Sequence, residues 1–392
     1  MMKKKVLFVM DYLSTAGAEK SLVTLLNELD YNKLDVDLQL MTYGGQLQKY
    51  VPDQVNILPP LEYRKFQWGE VPGTFSMWVS KLRYSLGIRI GNNRMHMTKA
   101  RKWWSYGGQR HIPVFDKEYD VAIAYSQCVP TFYVVDKVKA KKKIGWVNCI
   151  FHLEGKERQW QQRFYEALDN IVLVSDAALT HLKNVYPDFK DKMLLIPDLI
   201  SARAINKMSM EIDNPFQDDA GVRLLTAARF DDKDKGYDIT LEACRILMER
   251  GLKFRWYALG GGGYQETMEK YIEDHNMQDT FIILGTTPNP YPYFKNCTMY
   301  VQTSRHEGFG LSIAEARILN RPVVTTEFDS VYYQMIPGKN GLVVPIDPVA
   351  VADGIMRLLE DKELYDSIVA FQRQEKKGNL EELDKFYSLI GC

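Results

Sequence analysis

Two glutamates, Glu307 and Glu315, stand eight positions apart just after an apolar run that ends near Thr303. If one continuous helix carried both, their side chains would lie about 12 Å apart along its axis and on somewhat different faces. We therefore expect Glu307 in a loop and Glu315 one turn into a helix. Gly308 and Gly310 would let a ligand approach the loop backbone closely. On spacing alone, two solvated surface carboxylates are the favoured interpretation, because charged residues are mostly exposed. The position of the pair directly after an apolar run is what favours a site.

The helix start that follows, at Gly310, Leu311 and Ser312, would aim backbone N–H groups at an anion. A second candidate lies after another apolar run, where Arg229 and Lys235 stand six positions apart. The planar fork of an arginine and the compact charge of a lysine could together neutralise a departing diphosphate. Pairing of Arg229 with a neighbouring surface aspartate is the common alternative.

The string Asp232-Lys233-Asp234 has the Asp-x-Asp spacing of some metal sites. Lys233 and Lys235 disfavour a cation and no supporting group of ligands is evident, so we expect no metal site. The five cysteines have no CxxC or Cys/His spacing, which argues against a zinc site and a disulfide framework and fits a reducing, cytoplasmic location. These cysteines are Cys128, Cys149, Cys244, Cys297 and Cys392.

The elements that position these residues alternate between strand and helix. Residues 6–10 form an apolar run, and after a loop of small residues come leucines spaced at i, i+3, i+4 and i+7, which predict a helix. Further apolar runs, separated by helix-compatible stretches, predict a parallel βαβ sheet. In the first half these runs are residues 36–41, 121–124, 144–147 and 171–174.

The second half repeats this architecture after a polar stretch. Its apolar runs are residues 224–228, 254–259, 281–284, 299–303, 322–326 and 341–344. Ligands of open α/β sheets bind outside the carboxyl ends of the strands, which is where the candidate residues fall. We predict a first Rossmann-like domain over residues 1–198, a linker over 199–221, a second domain over 222–375 and a C-terminal helix within 376–392 that packs back on the first domain.

In the order of its motifs the chain resembles a family 4 retaining glycosyltransferase of the GT-B fold (glycosyl transferases group 1), over nearly its whole length. The main features are the Glu-x7-Glu element of Glu307 and Glu315 and the Arg...Lys-Gly element of Arg229, Lys235 and Gly236. Shorter matches follow in the family's order at residues 259–263, 283–285, 321–326 and 340–344. The resemblance implies an α/β fold of two doubly wound Rossmann-like domains that face each other across a cleft.

The resemblance also implies transfer of a sugar from a nucleotide-sugar to an acceptor hydroxyl, with retention at the anomeric carbon and without a metal. Arg229 and Lys235 would stabilise charge on the leaving diphosphate, and Glu307 would hold sugar hydroxyls. Glu315 would accept hydrogen bonds from the ribose hydroxyls. The other expected donor contacts are Gly17, Gly285, Gly310, Leu311 and Ser312.

No cofactor is expected, because the nucleotide-sugar is a co-substrate, with UDP favoured over GDP. The first domain would serve the acceptor, a glycan or a lipid-linked molecule of bacterial surface polysaccharide or glycoconjugate assembly. The sequence departs from the family at Ala16 in the Gly-rich loop, at Asn148 where a histidine is usual, and at Asn320 before the strand of residues 322–326. His152 is an alternative contributor to the role of that missing histidine.

These departures leave a catalytically silent GT-B-like partner subunit as the alternative function. A nicotinamide-dependent dehydrogenase is a weaker rival, because neither the loop at Gly17 nor residues 260–263 give a GxGxxG followed by an acidic residue at the expected distance. A sugar-nucleotide epimerase or a phosphorylase also stays open, since fold does not fix function.

Charge is balanced over the 392 residues, with 50 Lys+Arg and 50 Asp+Glu, so nucleic acid is not an expected partner. No segment reaches the ~18 consecutive apolar residues of a membrane span. Residues 64–110 nevertheless hold ten basic residues and one acid, Glu70. We predict peripheral contact of this segment with an anionic membrane, at the inner face of the plasma membrane. The alternative is an insertion whose aromatic residues pack on the sheet while its basic residues face water.

Overall fold

The computed structural model describes residues 3–89, 96–149, 153, 155–216, 221–231, 233–307 and 309–392. It divides into two compact units. The first comprises Met1–Pro197 together with Glu381–Cys392, and the second comprises Asp198–Leu380.

The first unit is built on a parallel sheet in which seven strands of the described residues take the order β3-β2-β1-β4-β5-β6-β7. The strands are β1 Lys4–Met10, β2 Leu34–Leu40, β3 Asn56–Ile57, β4 Phe115–Ala124, β5 Val138–Val147, β6 Asn170–Leu173 and β7 Met193–Leu195. The helices are α1 Gly17–Glu28, α2 Glu62–Trp68, α3 Phe75–Arg89, α4 His96–Trp103, α5 Gln109–His111, α6 Val129–Lys137, α7 Gly155–Ala167 and α8 Asp176–Val185. A π-helical turn, Trp104–Gly108, joins α4 to α5.

The apolar runs of the first half coincide with these strands, except that the runs 36–41 and 171–174 each extend one residue past the strand end. Val6 to Met10 are buried in β1, and Leu22, Leu25 and Leu26 bury the inner face of α1. Strands β4 and β5 begin earlier than their apolar runs, because their polar first halves pair with each other. Lys117, in that part of β4, pairs with the buried carboxylate of Asp37 at 2.7 Å.

The second unit has a parallel sheet with the strand order β10-β9-β8-β11-β12-β13. Its strands are β8 Arg223–Ala227, β9 Arg255–Leu259, β10 Phe281–Gly285, β11 Met299–Gln302, β12 Val323–Thr326 and β13 Leu342–Val344. Its helices are α9 Ala202–Met208, α10 Tyr237–Glu249, α11 Gln265–Asp274, α12 Tyr291–Asn296, α13 Leu311–Ile318, α14 Pro348–Glu360 and α15 Lys362–Gln374. The prediction of a doubly wound α/β fold for each half is therefore confirmed.

We expected residues 199–221 to be a linker, but the described residues 199–216 contain α9 and belong to the second unit. Ser201 caps this helix by accepting a hydrogen bond from the Ala204 backbone N–H at 3.3 Å. Ile205 and Phe216 are buried, and the Phe216 ring lies 4.4 Å from that of Tyr257. Ile200, Ile205 and Phe216 join the buried core cluster of the second unit, which holds this segment in place. Seven helical residues gave too little periodicity to reveal the helix.

The last helix, α16, spans Glu382–Ile390 and packs on the sheet of the first unit. Phe386 is fully buried and stacks on Phe8 of β1 at 6.1 Å between ring centroids. The Lys4 ammonium donates to the carbonyl oxygens of Ile390 and Gly391, each at 2.6 Å, and so satisfies backbone acceptors at the helix end. Within the described ranges, no helix combines the length and the apolar character that crossing a bilayer requires.

Candidate active site

A partly buried pair of opposite charges in the second unit lies where β8 and β11, neighbours in the sheet, reach their carboxyl ends. Lys235 follows β8, Glu307 follows β11, and Lys235 Nζ lies 2.7 Å from Glu307 Oε2. The side chains are only 20% and 13% exposed. The structure thus joins one residue from each of the two motifs that the sequence singled out, at the edge where ligands of such sheets bind.

A hydrogen-bond network fixes the other oxygen of Glu307. Gln302 Nε2 and Ser304 Oγ both donate to Glu307 Oε1, each at 2.8 Å. Gln302 is buried at the last position of β11, and its Oε1 accepts from the Tyr300 hydroxyl at 2.8 Å. The carboxylate is therefore held from both sides, and its rotation would break several hydrogen bonds.

Further contacts tie the loop before α10 to the loop after β11. Thr303 Oγ1 donates to the carbonyl oxygen of Gly236 at 2.9 Å, and the Arg305 backbone N–H donates to that of Asp234 at 2.7 Å. Arg305 also forms a bidentate pair with Asp238, at 2.8 and 2.7 Å. Gly236 has φ +64, and a Cβ there would lie 2.1 Å from Thr303 O, so this close approach requires glycine.

The start of α13 lies at the same edge of the sheet. Gly310 is its N-cap, with φ +79, and Leu311 is its first residue. Ser312 Oγ donates to the carbonyl oxygen of Ala227, the last residue of β8, at 3.0 Å. The first turn of the helix is thereby attached to β8, and its unpaired N–H groups are suited to an anion.

Glu315 lies one turn into α13, as predicted, and is only 2% exposed. The Tyr291 hydroxyl donates to Glu315 Oε1 at 3.0 Å. A ribose hydroxyl would therefore have to share this carboxylate with Tyr291. The surface interpretation of this glutamate is wrong, because the carboxylate is buried and hydrogen-bonded.

Arg229 does not join the pair of Lys235 and Glu307. Its side chain is 62% exposed, and Nη2 lies 3.2 Å from Asp231 Oδ2 and 3.4 Å from Asp234 Oδ2. Burial favours a raised pKa for Asp231, but hydrogen bonds from two backbone N–H groups, together with Arg229, hold that pKa below its ordinary value. This arrangement is the surface pairing that the sequence left open as the alternative for Arg229.

The two remaining predicted donor contacts lie in different units. Gly285 ends β10 with φ +75, and its carbonyl oxygen accepts from the Gly260 N–H at 2.9 Å. Gly260 itself approaches β8 closely, since a Cβ there would meet Ala228 O at 2.0 Å. Gly17 begins α1 in the first unit, after Ala16, which offers no side-chain cap.

Sequence reasoning missed a polar cluster at the carboxyl end of β1. Asp11 directly follows that strand, and burial raises its pKa to about 6, although the charge of Arg64 opposes this shift. The Arg64 guanidinium lies 4.1 Å from the ring centroid of Trp103, and its Nε is buried without a hydrogen-bond partner among the described residues. The signal that could have found this cluster is a carboxylate placed directly after the first strand.

Asn148, where the family has a histidine, follows β5. Its Nδ2 donates to the Tyr125 carbonyl oxygen at 2.8 Å, and its backbone N–H donates to Gln127 Oε1 at 3.1 Å. Its Oδ1 is buried, with no hydrogen-bond partner found in the described part of the chain. His152, Gly308 and Asp232 lie outside the described residues. No cluster of three or more potential metal ligands is found within the described ranges.

Residues 213–375 match the sequence profile of the family described as glycosyl transferases group 1. This segment holds both predicted motifs, so the resemblance to that family is confirmed here, and the chain carries a glycosyl transferases group 1 domain. Assignment to family 4 in particular stays a prediction.

The poly(ribitol-phosphate) alpha-N-acetylglucosaminyltransferase of Staphylococcus aureus (strain COL) is 28% identical over 163 residues, which are 40% of this chain and 33% of that protein. This chain therefore spans about a third of the length of that relative.

Two solved structures share the fold over nearly the whole chain. A mutant of S. aureus TarM in complex with fondaparinux, alpha-GlcNAc-glycerol and UDP superposes with a TM-score of 0.70 at 13% identity, covering 99% of this chain and 100% of that one. Anabaena HepE in complex with UDP and glucose gives a TM-score of 0.67 at 14% identity, covering 99% of each chain. The fold of this chain is GT-B.

Proposed function

We propose that this chain transfers a sugar from a nucleotide-sugar donor to a hydroxyl of an acceptor. The observation that carries the proposal is the ion pair of Lys235 and Glu307 at the carboxyl ends of β8 and β11, beside the start of α13. A fixed cation, a fixed carboxylate and a helix N-terminus can bind a diphosphate and the hydroxyls of the sugar attached to it.

The roles of the residues follow from their charges. Lys235 would move from Glu307 to the diphosphate and stabilise the charge that develops as the diphosphate leaves. Backbone N–H groups of residues 310–312 would assist. Glu307, still held by Gln302 and Ser304, would then accept hydrogen bonds from sugar hydroxyls. Arg229 would reach the diphosphate only by leaving its aspartates, which costs little because exposed ion pairs are weak.

For the donor we propose a UDP-sugar, used without a metal or cofactor and with retention at the anomeric carbon. The UDP in the TarM and HepE complexes supports this choice of base. Glu315 would accept hydrogen bonds from the ribose, jointly with Tyr291. Gly285 would line this part of the site through its backbone, and a donor contact of Gly17 stays a prediction from the sequence.

For the acceptor we propose a glycan or a lipid-linked molecule of bacterial surface polysaccharide or glycoconjugate assembly, bound by the first unit in the cytoplasm. The name of the S. aureus relative, which acts on poly(ribitol-phosphate), supports an acceptor of this kind. We also propose that residues 64–110 bring the chain to an anionic membrane surface, where a lipid-linked acceptor would be held.

The test is calorimetric binding of UDP-, GDP- and ADP-sugars and of NAD(H), with a chelator present. We expect selective binding of one UDP-sugar, weakened in Lys235→Ala and in Glu315→Ala. Lys233→Ala is the matched control, because Lys233 is an exposed lysine of the same loop, and this variant should bind as the wild type does. The anomeric configuration of the product, read by NMR, tests retention.

Binding of NAD(H) alone would replace the proposal with a dehydrogenase. Binding of no nucleotide by the folded protein would favour the silent partner subunit, the function suggested by Ala16 and Asn148. Binding that requires a divalent cation would contradict only the metal-independent part of the proposal.

A further inference from the structure

Helix α3 presents a row of large apolar side chains to solvent. Phe75, Trp78, Leu82 and Leu86 are 86%, 55%, 60% and 49% exposed. They recur at steps of three, four and four residues, so at about 100° per residue they lie within a sector of about 80°. This stripe, Phe75-Trp78-Leu82-Leu86, is about 17 Å long at ~1.5 Å per residue.

The opposite face of α3 serves the core of the first unit, whereas each residue of the stripe is about half or more exposed. Met77 and Tyr84 pack against the buried cluster of that unit. Ser80 is buried, and its Oγ lies 2.9 Å from His111 Nε2. Lys102 Nζ donates to the carbonyl oxygen of Gly87 at 2.8 Å. These contacts hold the helix with the stripe directed outward.

Basic residues flank the stripe, and α3 contains no acid. Lys81 lies on one side, with Nζ 5.3 Å from the Trp78 ring centroid, and Arg83 lies exposed on the other side. Arg89 extends the charge at the end of the helix. An apolar stripe bordered by cations is the pattern of a helix that rests in the interface of an anionic bilayer.

Different described residues of the basic segment 64–110 fit the two interpretations of that segment. Phe66, Trp103 and Trp104 are buried in the core, as the insertion interpretation expects. Arg101 pairs with Glu157 at 2.9 Å, so this cation already has an anionic partner within the protein. A row of exposed large apolar side chains and exposed basic residues occurs together on α3, so we assign the surface contact to this helix.

We propose that α3 lies flat on a bilayer containing anionic lipid, with the stripe among the acyl chains and Lys81, Arg83 and Arg89 at the phosphates. This inference rests on the proposed membrane contact of residues 64–110 and assigns that contact to one helix. It does not depend on which sugar the second unit transfers.

A second copy of the chain fits this surface less well. In a symmetric dimer the same patch meets itself, which would bring Lys81, Arg83 and Arg89 of two copies together. Four side chains also give much less than the ~800 Å² per partner of a stable interface. An anionic bilayer instead complements both the apolar stripe and its cations.

The experiment is co-sedimentation of the full chain with phosphatidylcholine vesicles, with and without about 30% phosphatidylglycerol. We expect binding only with phosphatidylglycerol, decreasing as salt screens the cations. The double variant Phe75→Ser/Leu82→Ser should bind at least about tenfold more weakly, because it leaves less apolar surface to bury. Lys81→Gln/Arg83→Gln should bind vesicles with phosphatidylglycerol more weakly than the wild type does and with a smaller dependence on salt.

The matched control is Val114→Ser/Ile212→Ser, which replaces two exposed apolar residues outside the stripe and should bind as the wild type does. Unchanged thermal unfolding of each variant shows that it is folded. UDP-sugar binding, measured on the same samples, tests the proposed activity separately from the membrane contact.

Three outcomes overturn the inference. If the stripe variant binds vesicles like the wild type, the membrane contact lies elsewhere in the chain. If the wild type binds neither vesicle, membrane contact itself is excluded. If sedimentation velocity shows a wild-type dimer that the stripe variant loses, the stripe is an interface between copies.

Discussion

At the scale of single residues, Glu307 is held by three side chains, one ionic and two neutral. Lys235 contacts one carboxylate oxygen, and Gln302 and Ser304 donate to the other. The pair with Lys235 is the contact that a diphosphate would replace. The neutral donors would keep Glu307 in place during that exchange.

Lys235→Ala should lower kcat by about a hundredfold or more, because it removes a cation that stabilises charge in the transition state. Steady-state kinetics with the donor identified by calorimetry is the measurement. Lys233→Ala supplies the control for a lost surface charge in the same loop. Turnover near the wild-type value in Lys235→Ala would contradict the role of this lysine.

Gln302 is a positioning residue, since it acts on the substrate only through Glu307. Gln302→Leu should lower both kcat and the free energy of unfolding, the latter by about 1–3 kcal/mol, because Glu307 and Tyr300 each lose a buried partner. Adding Tyr300→Phe should restore part of the stability, since it removes the buried hydroxyl that has lost its 2.8 Å partner Gln302 Oε1. The low kcat should remain.

Urea unfolding and kinetics on the single and double variants separate these effects. Recovery of kcat together with stability would show that Gln302 supports only the fold. Recovery of stability without recovery of kcat would support the role of Gln302 in positioning Glu307.

Asp11 gives a pH dependence of stability. Its pKa is raised from 3.8 to about 6 by burial, so the folded state keeps its proton to a higher pH than the unfolded state does. Stability therefore falls as pH rises from about 4 to above 6. Asp11→Asn should stabilise the protein at pH ~8, by on the order of 2 to 3 kcal/mol, and have little effect at pH ~4.

Urea unfolding of Asp11→Asn and wild type at both pH values measures this difference. Asp53→Asn, at an exposed carboxylate of the same unit, is the matched control for replacing an aspartate with asparagine. If Asp11→Asn raised the free energy of unfolding equally at the two pH values, that result would contradict the raised pKa of Asp11.

At the scale of elements, the loop that carries Lys235 depends on a close approach to the end of β11. Gly236→Ala would place a Cβ 2.1 Å from Thr303 O at φ +64. We expect a loss of more than about 1 kcal/mol in unfolding free energy and weaker donor binding, since the loop must shift. Thermal unfolding and calorimetry measure the two effects.

Gly263→Ala is the matched control at a glycine whose added Cβ has no neighbour within 4 Å. This variant should stay within about 0.5 kcal/mol of the wild type. Equal effects of the two substitutions would mean that the approach to Thr303 is not what requires glycine at 236.

At the scale of the whole molecule, helix α16, near residue 392, belongs to the first unit, whose sheet begins with β1. Phe386→Ala should lower the unfolding free energy by about 3–5 kcal/mol, because its ring is fully buried on Phe8. Phe75→Ala, at a ring that is 86% exposed, should leave stability unchanged. Denaturant unfolding of both variants is the measurement, and equal stability of the two would contradict this packing of α16.

The strands and the edge of the site could be predicted from the sequence, because both depend on local pattern. Apolar runs of strand length define β1 and β8, and parallel strands place the following loops at one edge. Helix α9 could not be predicted, because it is short and the surface that its few apolar residues pack against is formed by segments distant in sequence.

The sequence by itself determined the α/β architecture of both halves, the family motifs, and the placement of Glu307 in a loop and Glu315 on a helix. Those features follow from spacing along the chain. Only the tertiary structure decided that Lys235 pairs with Glu307 while Arg229 pairs with surface aspartates. It also decided that Trp104 belongs to the core and Trp78 faces solvent. The partner of Lys235 and the burial of these rings depend on residues distant in sequence, and for Arg229 several partners of equal chemistry compete for one charge.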